Sequence, residues 1–311
     1  MYESASRSDN ADLDPLVQQV TDLLRTGRAG IVTDIDGTIS PIVARPDEGF
    51  VLPEARRALT SLRDLVAVVA VVTGRSVVDA RAMVGVEGLT YVGNHGLEVW
   101  TEHGPELVAE ARPWVPRVAA VLDEVARRLE LGTLSDADVA DVPSHPDEPP
   151  TLSGVIIENK GVTASLHYRL APDRERARRE LLEILARYAV TSGLRVEEGR
   201  MVINLLPPLG VTKGSAITWL VRERGLNSIV YLGDDNTDAH AFRALVMLRQ
   251  SEGVQALGIG VVGPETPPSV RQLVDASVPT VDAVAELLCG VVDRLRSSAT
   301  MESRAPTVGS T

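Results

Sequence analysis

The 311-residue sequence contains a single cysteine, Cys289, so neither a disulfide within the chain nor a thiolate metal centre can form. That residue sits in the apolar run AVAELLCGVVDRL and reads as a small buried hydrophobe on the last helix. Aromatic residues are only 3%, which leaves alanine, valine and leucine to fill the core. Positive charge is also in short supply: 31 basic against 43 acidic side chains give a net charge of −12. No basic stripe with interleaved aromatics occurs, which excludes nucleic acid as the expected partner. No apolar run reaches the roughly 18 residues of a membrane helix, and MYESASRSDNADLD lacks the apolar centre of a secretory signal. The expectation is a cytoplasmic protein, a monomer with no membrane partner. A hydrophobic fraction of 44% is too high for a disordered chain, and the length suits about two domains.

Residues 1–11 and 298–311 are small and polar and are expected to be disordered ends. Asp14 and Pro15 announce a first helix, with Asp14 as its candidate cap. Three short apolar runs follow, at 30–36, 66–75 and 90–96, with helical patterns between them. Continuous apolar strands alternating with helices predict a parallel sheet covered on both faces. From about 100 to 206 the pattern changes to a long helix, a Pro- and acid-rich loop at 133–151, and alternating strands beside a basic helix. That grouping predicts an α+β module with an antiparallel sheet. The β/α alternation resumes with SIVYLGDD and ALGIGVVG. The chain therefore reads as an α/β core of residues 12–99 and 207–297 into which a module, 100–206, is inserted.

The acidic residues gather at strand ends, where open α/β sheets bind their ligands. The run GIVTDID delivers Asp34 and Asp36 to the end of the first strand, and Gly37 lets the chain turn away. A second cluster, GDDNTD, places Asp234, Asp235 and Asp238 at the end of SIVYL. Converging carboxylates repel unless a cation lies among them, and Mg2+ prefers such oxygen donors. Asp235 or Asn236 can also cap the helix that follows. Thr73 and Gly74 end another apolar strand, and Lys213 opens a helix. A hydroxyl, free backbone N–H groups and an ammonium can together hold a phosphoryl group.

The order DxDGT, hydrophobic-TG, Lys and GDDxxD resembles the haloacid dehalogenase superfamily of phosphatases and mutases. The resemblance implies a Rossmann-like parallel-sheet core carrying an inserted C2-type cap. It further implies that Asp34 attacks phosphorus and forms an aspartyl-phosphate, while Asp36 donates and then accepts a proton. Thr73 and Lys213 would hold the transferring oxygens. Mg2+ would be bound by the carboxylates of Asp34 and Asp234 and the main-chain carbonyl of Asp36, with Asp235 and Asp238 positioning Lys213 and metal waters.

Further blocks narrow the family. GNHG, ENKG followed by LHYR, and EGR resemble the corresponding blocks of trehalose-6-phosphate phosphatases. This likeness implies that Asn94, His95, Glu158, Lys160, His167, Arg169, Arg200 and the position of Asn204 grip a sugar phosphate, with Arg75 near the phosphate or an adjacent hydroxyl. His167 and Arg169 are expected to share one face of a strand. In MVINLLPP, Asn204 stands where the family usually has a glutamate and Leu206 where a basic residue is common. An amide is a weaker acceptor for sugar hydroxyls than a carboxylate. Sucrose 6-phosphate or mannosyl-3-phosphoglycerate as substrate, a phosphomutase, and a receiver-like switch are the competing readings.

Overall fold

The computed structural model describes residues 13–131, 152–199, 201–264 and 266–304. Two compact units emerge, one made of the chain up to Glu106 together with Val211 onward, the other of Leu107–Gly210. The first unit opens with α1 (Asp14–Leu24), β1 (Ala29–Thr33), α2 (Pro53–Leu62), β2 (Val68–Val72), α3 (Val77–Val84) and β3 (Thr90–Gly93), then adds β4 (Glu98–Thr101) and β5 (Gly104–Leu107). The second contains α4 (Val115–Leu131), β6 (Ile156–Asn159), β7 (Ala164–His167), α5 (Arg174–Ser192), β8 (Arg195–Gly199) and β9 (Val202–Leu206). The first unit resumes with α6 (Lys213–Arg224), β10 (Ser228–Gly233), α7 (Asp238–Glu252) and β11 (Gln255–Val261). It closes with α8 (Pro268–Arg271), β12 (Ala276–Val278) and α9 (Val281–Arg304).

The large sheet runs β12-β11-β10-β1-β2-β3-β4-β5. Its first six strands are parallel and β4 pairs antiparallel to β3. The central strands β1, β2 and β10 are buried along their whole length, as their uninterrupted apolar runs predict. Alternate residues feed two separate cores. Ile31, Val69 and Val230 pack with Val20 of α1, Leu59 of α2 and Leu288 of α9. Val32, Ala70 and Ile229 pack with Ile217 of α6 and Phe242 of α7. Each fully buried aliphatic of this kind contributes about 1.5–3 kcal/mol relative to exposure. The result is the expected α/β sandwich of helices over a parallel-rich sheet.

The second unit is a smaller α+β body. Its antiparallel sheet, ordered β6-β7-β9-β8, turns Ala164, Leu166, Ile203 and Leu205 toward an apolar core shared with Val118 and Val125 of α4 and Leu181 and Ile184 of α5. The opposite side of the same strands carries a polar row, because directly paired residues face alike: Glu158 opposes Ser165, Ser165 opposes Asn204, and Asn204 opposes Glu197.

Three boundaries differ from the sequence reading. The large sheet takes in β4 and β5, so the first unit runs to Glu106 rather than 99. Their residues are only half-buried, and the short polar segment EVWTEHGPEL carries no apolar run that would reveal them. Asp14 does not cap α1: Leu13 holds that position without a side-chain bond, and Asp14 lies in the first turn, paired with Arg294. The last helix continues to Arg304, past the expected start of a polar tail at 298. The ends 1–12 and 305–311, the whole of the loop 133–151, and Arg200 lie outside the described residues.

Candidate active site

Parallel pairing sets the ends of β1, β2 and β10 side by side, with Thr33 opposite both Val71 and Leu232. Asp34 follows β1 directly, and its backbone N–H donates to Leu232 O at 2.9 Å, prolonging the ladder by one bond. Its side chain is buried at the sheet's carboxyl edge. The chain then reverses within Ile35–Ser40: the N–H groups of Thr38, Ile39 and Ser40 all converge on Ile35 O. Gly37 occupies this turn at φ +81°, and a Cβ there would stand 2.1 Å from Asp234 Oδ2. Only glycine fits, on both conformational and steric grounds.

Opposite Asp34, Lys213 is the first residue of α6. Thr212 and Ser215 form a reciprocal cap at that helix start, which fixes where the lysine leaves the backbone. Lys213 Nζ lies 2.8 Å from Asp34 Oδ2 and 2.6 Å from Asp238 Oδ1, with Asp235 at 4.0 Å. Asp238 is saturated: Oδ1 also accepts the Tyr231 hydroxyl at 2.5 Å, and Oδ2 accepts the backbone N–H groups of Asp234 and Asp235. Asp235 Oδ1 accepts from the backbone and hydroxyl of Thr237, so it also organises the turn into α7. Thr38 donates to Asp234 Oδ1 at 3.3 Å.

Burial pushes the Asp34 carboxyl up to about 8, with Lys213 opposing and Asp238 and Asp235 reinforcing the rise. Burial likewise raises Asp234 well above the usual carboxylate range, and its three acidic neighbours add to this. At Lys213 the causes oppose one another: burial would lower it, but Asp238, Asp34 and Asp235 hold it well above its usual value, so it stays an ammonium. Three acids sharing one lysine cannot all stay ionised in a buried place without further positive charge. Asp34 Oδ1 is buried with no hydrogen-bond partner. Oxygens of Asp34, Asp234 and Asp238 lie within 4.8 Å of one another. Since Asp238 already accepts four donors, Asp34 and Asp234 are the pair with lone pairs to spare. An all-oxygen, carboxylate-rich donor set of this kind fits a hard divalent cation.

Asp36 takes another direction. Both its oxygens are caught by Arg75, Nε at 2.7 Å and Nη2 at 2.8 Å. Thr73 is buried just past β2 and its hydroxyl accepts the Arg75 N–H. The GNHG segment is stitched to this loop: Asn94 N–H donates to Arg75 O, and His95 N–H to Thr73 O. Asn94 and His95 both adopt left-handed backbone conformations, φ +49° and +60°, which costs of order 1–3 kcal/mol each. Asn94 Nδ2 is held by Glu98, and the His95 ring lies against Gly74, its Cε1 2.5 Å from where a Cβ would stand. Strain at consecutive residues, locked by buried bonds, is the signature of a placed side chain.

In the second unit, Glu158 Oε2 meets His167 Nε2 at 2.9 Å and Lys160 Nζ at 3.5 Å. Lys160 donates to Ser165 Oγ, and Ser165 in turn donates to Asn204 Oδ1, both at 2.7 Å. Glu158, Lys160, His167 and Asn204 thus form one chain of contacts on the polar side of the sheet. Arg169 departs from expectation: β7 ends at His167, and Arg169 stands in the following turn rather than on the strand face. The cause is local, since Ala171 N–H bonds back to Tyr168 O. Sequence reasoning assigned no role to Tyr231, Thr38, Glu98 or Ser165. Tyr231 and Ser165 read as ordinary strand residues, and Thr38 was visible only as part of DxDGT.

The family model for trehalose-phosphatase matches residues 32–140 and 148–266. The chain belongs to the trehalose-phosphatase family. A trehalose-phosphate phosphatase of Mycobacterium avium is 35% identical over 224 residues, covering 68% of this chain and 50% of that protein. An uncharacterized glycosyl hydrolase of Mycobacterium tuberculosis is 31% identical over 251 residues, 78% of this chain but 17% of that protein. The chain thus spans half the length or less of these curated relatives. The C-terminal domain of Candida albicans trehalose-6-phosphate phosphatase shares the fold, with a TM-score of 0.69 at 19% identity, over 93% of this chain and 99% of that one. Among the described residues no helix is long and apolar enough to cross a membrane.

Proposed function

We propose that this trehalose-phosphatase family member hydrolyses trehalose 6-phosphate to trehalose and phosphate, with Asp34 as covalent nucleophile. The observation that carries the reading is the buried Asp34 carboxylate, one oxygen on Lys213 and the other unclaimed by any protein group. In the first step an Asp34 oxygen bonds to phosphorus as the P–O bond to the sugar breaks, and Asp36 gives its proton to the departing sugar oxygen. In the second, water attacks the aspartyl-phosphate, Asp36 takes the water's proton, and Asp34 is regenerated as phosphate leaves. Lys213 stays charged beside the reacting carboxylate and supports the developing negative charge, while Asp238 and Tyr231 keep it in place. Thr73 supplies a hydroxyl at the neighbouring strand end.

Asp34 and Asp234, with the main-chain carbonyl of Asp36, would hold Mg2+. What that ion supplies when bound is positive charge that keeps the nucleophile ionised and screens it from an anionic phosphate. The inserted unit, read as a cap, would present Glu158, Lys160, His167 and Asn204 to the sugar hydroxyls, with Arg169 and Arg200 contributing charge. His95 would face the substrate from the first unit, while Asn94, buried with its amide on Glu98, would hold that loop in place. The deciding experiment is phosphate release from trehalose 6-phosphate, sucrose 6-phosphate and mannosyl-3-phosphoglycerate, each with Mg2+ and with EDTA. Turnover of the first, abolished by EDTA and restored by Mg2+, is the expected result. Release from none of them, or full activity in EDTA, would refute the reading.

A further inference from the structure

The guanidinium of Arg75 is spent on a residue of the reaction rather than left open for substrate. Its Nε and Nη2 reach the two different oxygens of Asp36, at 2.7 and 2.8 Å, and Nη1 donates to Pro46 O at 3.1 Å. The fork is built in from several sides. Arg75 N–H donates to Thr73 Oγ1, Arg75 O accepts from Asn94 N–H, and the Arg75 side chain is only 12% exposed against 38% for Asp36. Gly49 leaves the room, because a Cβ there would stand 2.7 Å from Arg75 Nη2. The backbone of Asp36 is already fixed by the Ile35–Ser40 turn, where Gly37 N–H also bonds Ser40 O. What remains free is rotation about the two side-chain bonds of Asp36. One contact would leave the carboxylate able to spin, whereas two contacts to two oxygens lock both torsions.

We propose that Arg75 is a positioning residue that aims the Asp36 carboxyl for its two proton transfers, and not a direct ligand of the phosphate. The role rests on the phosphatase reading above. In the first transfer the proton leaves one Asp36 oxygen for the bridging sugar oxygen as the P–O bond breaks. In the second the same carboxylate takes a proton from the attacking water. A sugar alkoxide is a poor leaving group and needs that proton, whereas p-nitrophenolate leaves without it, so a misaimed Asp36 separates the two substrates.

The test compares wild type, Arg75→Met and Arg75→Lys on trehalose 6-phosphate and on p-nitrophenyl phosphate, following phosphate release and the initial burst of p-nitrophenol. Arg75→Met is also combined with Asp36→Asn. Expected for Arg75→Met are a fall in kcat on the sugar phosphate of roughly 10- to 100-fold, a KM and an inhibition constant for inorganic phosphate within about threefold of wild type, and a burst rate that falls several-fold less than kcat. Added to Asp36→Asn, the same change should lower the burst rate by less than about threefold, since its target is already gone. Arg75→Lys keeps the charge but not the fork and should recover little of the kcat deficit; it also decides the matter if the Met variant does not fold. A parallel rise in KM and phosphate inhibition constant for both substrates, full additivity with Asp36→Asn, or full rescue by lysine would overturn the role. Wild type inactive on both substrates would instead bring down the phosphatase reading itself, and this role with it.

Discussion

The two units carry polar networks of similar size and opposite character. In the first, Asp34, Asp234, Asp238 and Lys213 are all at most 8% exposed, and every bond within the cluster involves a charged group. In the second, Glu158 and His167 retain about a fifth of their side-chain exposure and the chain of contacts ends in neutral groups, Ser165 and Asn204. Buried charges are expensive unless paired, so a fold keeps such a cluster only where chemistry needs strong, unscreened fields. A row whose charged ends keep some exposure and whose deepest members, Ser165 and Asn204, are neutral and hydrogen-bonded costs less and can be exchanged residue by residue, which suits recognition of hydroxyls. Under the proposed function this difference separates the reaction from the choice of substrate: the first unit would hold what any phosphate ester requires, the second what distinguishes one sugar from another.

The contrast can be broken most directly at Asp34. Asp34→Asn should reduce phosphate release by at least about a thousandfold with the circular dichroism spectrum unchanged; residual activity above a few per cent would remove it from the nucleophile's place. Lys213→Met comes next. Removing one partner of a buried ion pair leaves uncompensated carboxylates, at a cost of about 3–5 kcal/mol, read as a lower urea midpoint in addition to lost activity. The same type of change at the less buried end of the second unit's row, Glu158→Gln, should cost less, about 1–2 kcal/mol. Equal losses at the two sites would erase the distinction between the units.

Charge and cation should be coupled in the first unit alone. Burial raises Asp34 from 3.8 to about 8 in the ion-free protein, so between those values the folded state binds more protons than the unfolded one. Stability contributed by this group is therefore fully present below about pH 4 and is lost as pH rises toward 8. The ion-free protein should thus be less stable at pH 8 than at pH 6, and saturating Mg2+ should raise its melting temperature more at pH 8. Asp234→Asn should abolish most of that Mg2+-dependent rise. A melting temperature indifferent to Mg2+ at both pH values would count against a cation at Asp34 and Asp234. The smallest effect is expected at Asn204→Glu, which restores a carboxylate beside Ser165 and should improve kcat/KM for trehalose 6-phosphate by up to about tenfold. No change would mean that Asn204 serves only its bond to Ser165.

Much of this was legible in the residues themselves. Uninterrupted runs such as GIVT and SIVYL, short, rich in β-branched residues and bounded by turn residues, read as strands buried on both faces, and their carboxyl ends fall at Asp34 and Asp234 because the apolar run stops there. Lys213 at the opening of a helix and the alternation of Ser165, His167 and Asn204 with core residues could be read in the same way. The edge hairpin β4–β5 could not, since its half-exposed residues carry no pattern apart from that of a loop.

What the sequence by itself determined was a set of short-range facts: periodicity, turn-forming glycines, and which side chains lie at the ends of which strands. These depend on neighbours a few residues away. Only the tertiary structure decided the partners: that Asp36 turns to Arg75 while Asp34 turns to Lys213, that Tyr231 closes over Asp238, and that Lys160 reaches Asn204 through Ser165. Such pairings join positions up to nearly two hundred residues apart, as Asp34 and Lys213 are, and follow from how strands are ordered in the sheet and how rotamers settle in a packed interior. Local pattern carries no record of that.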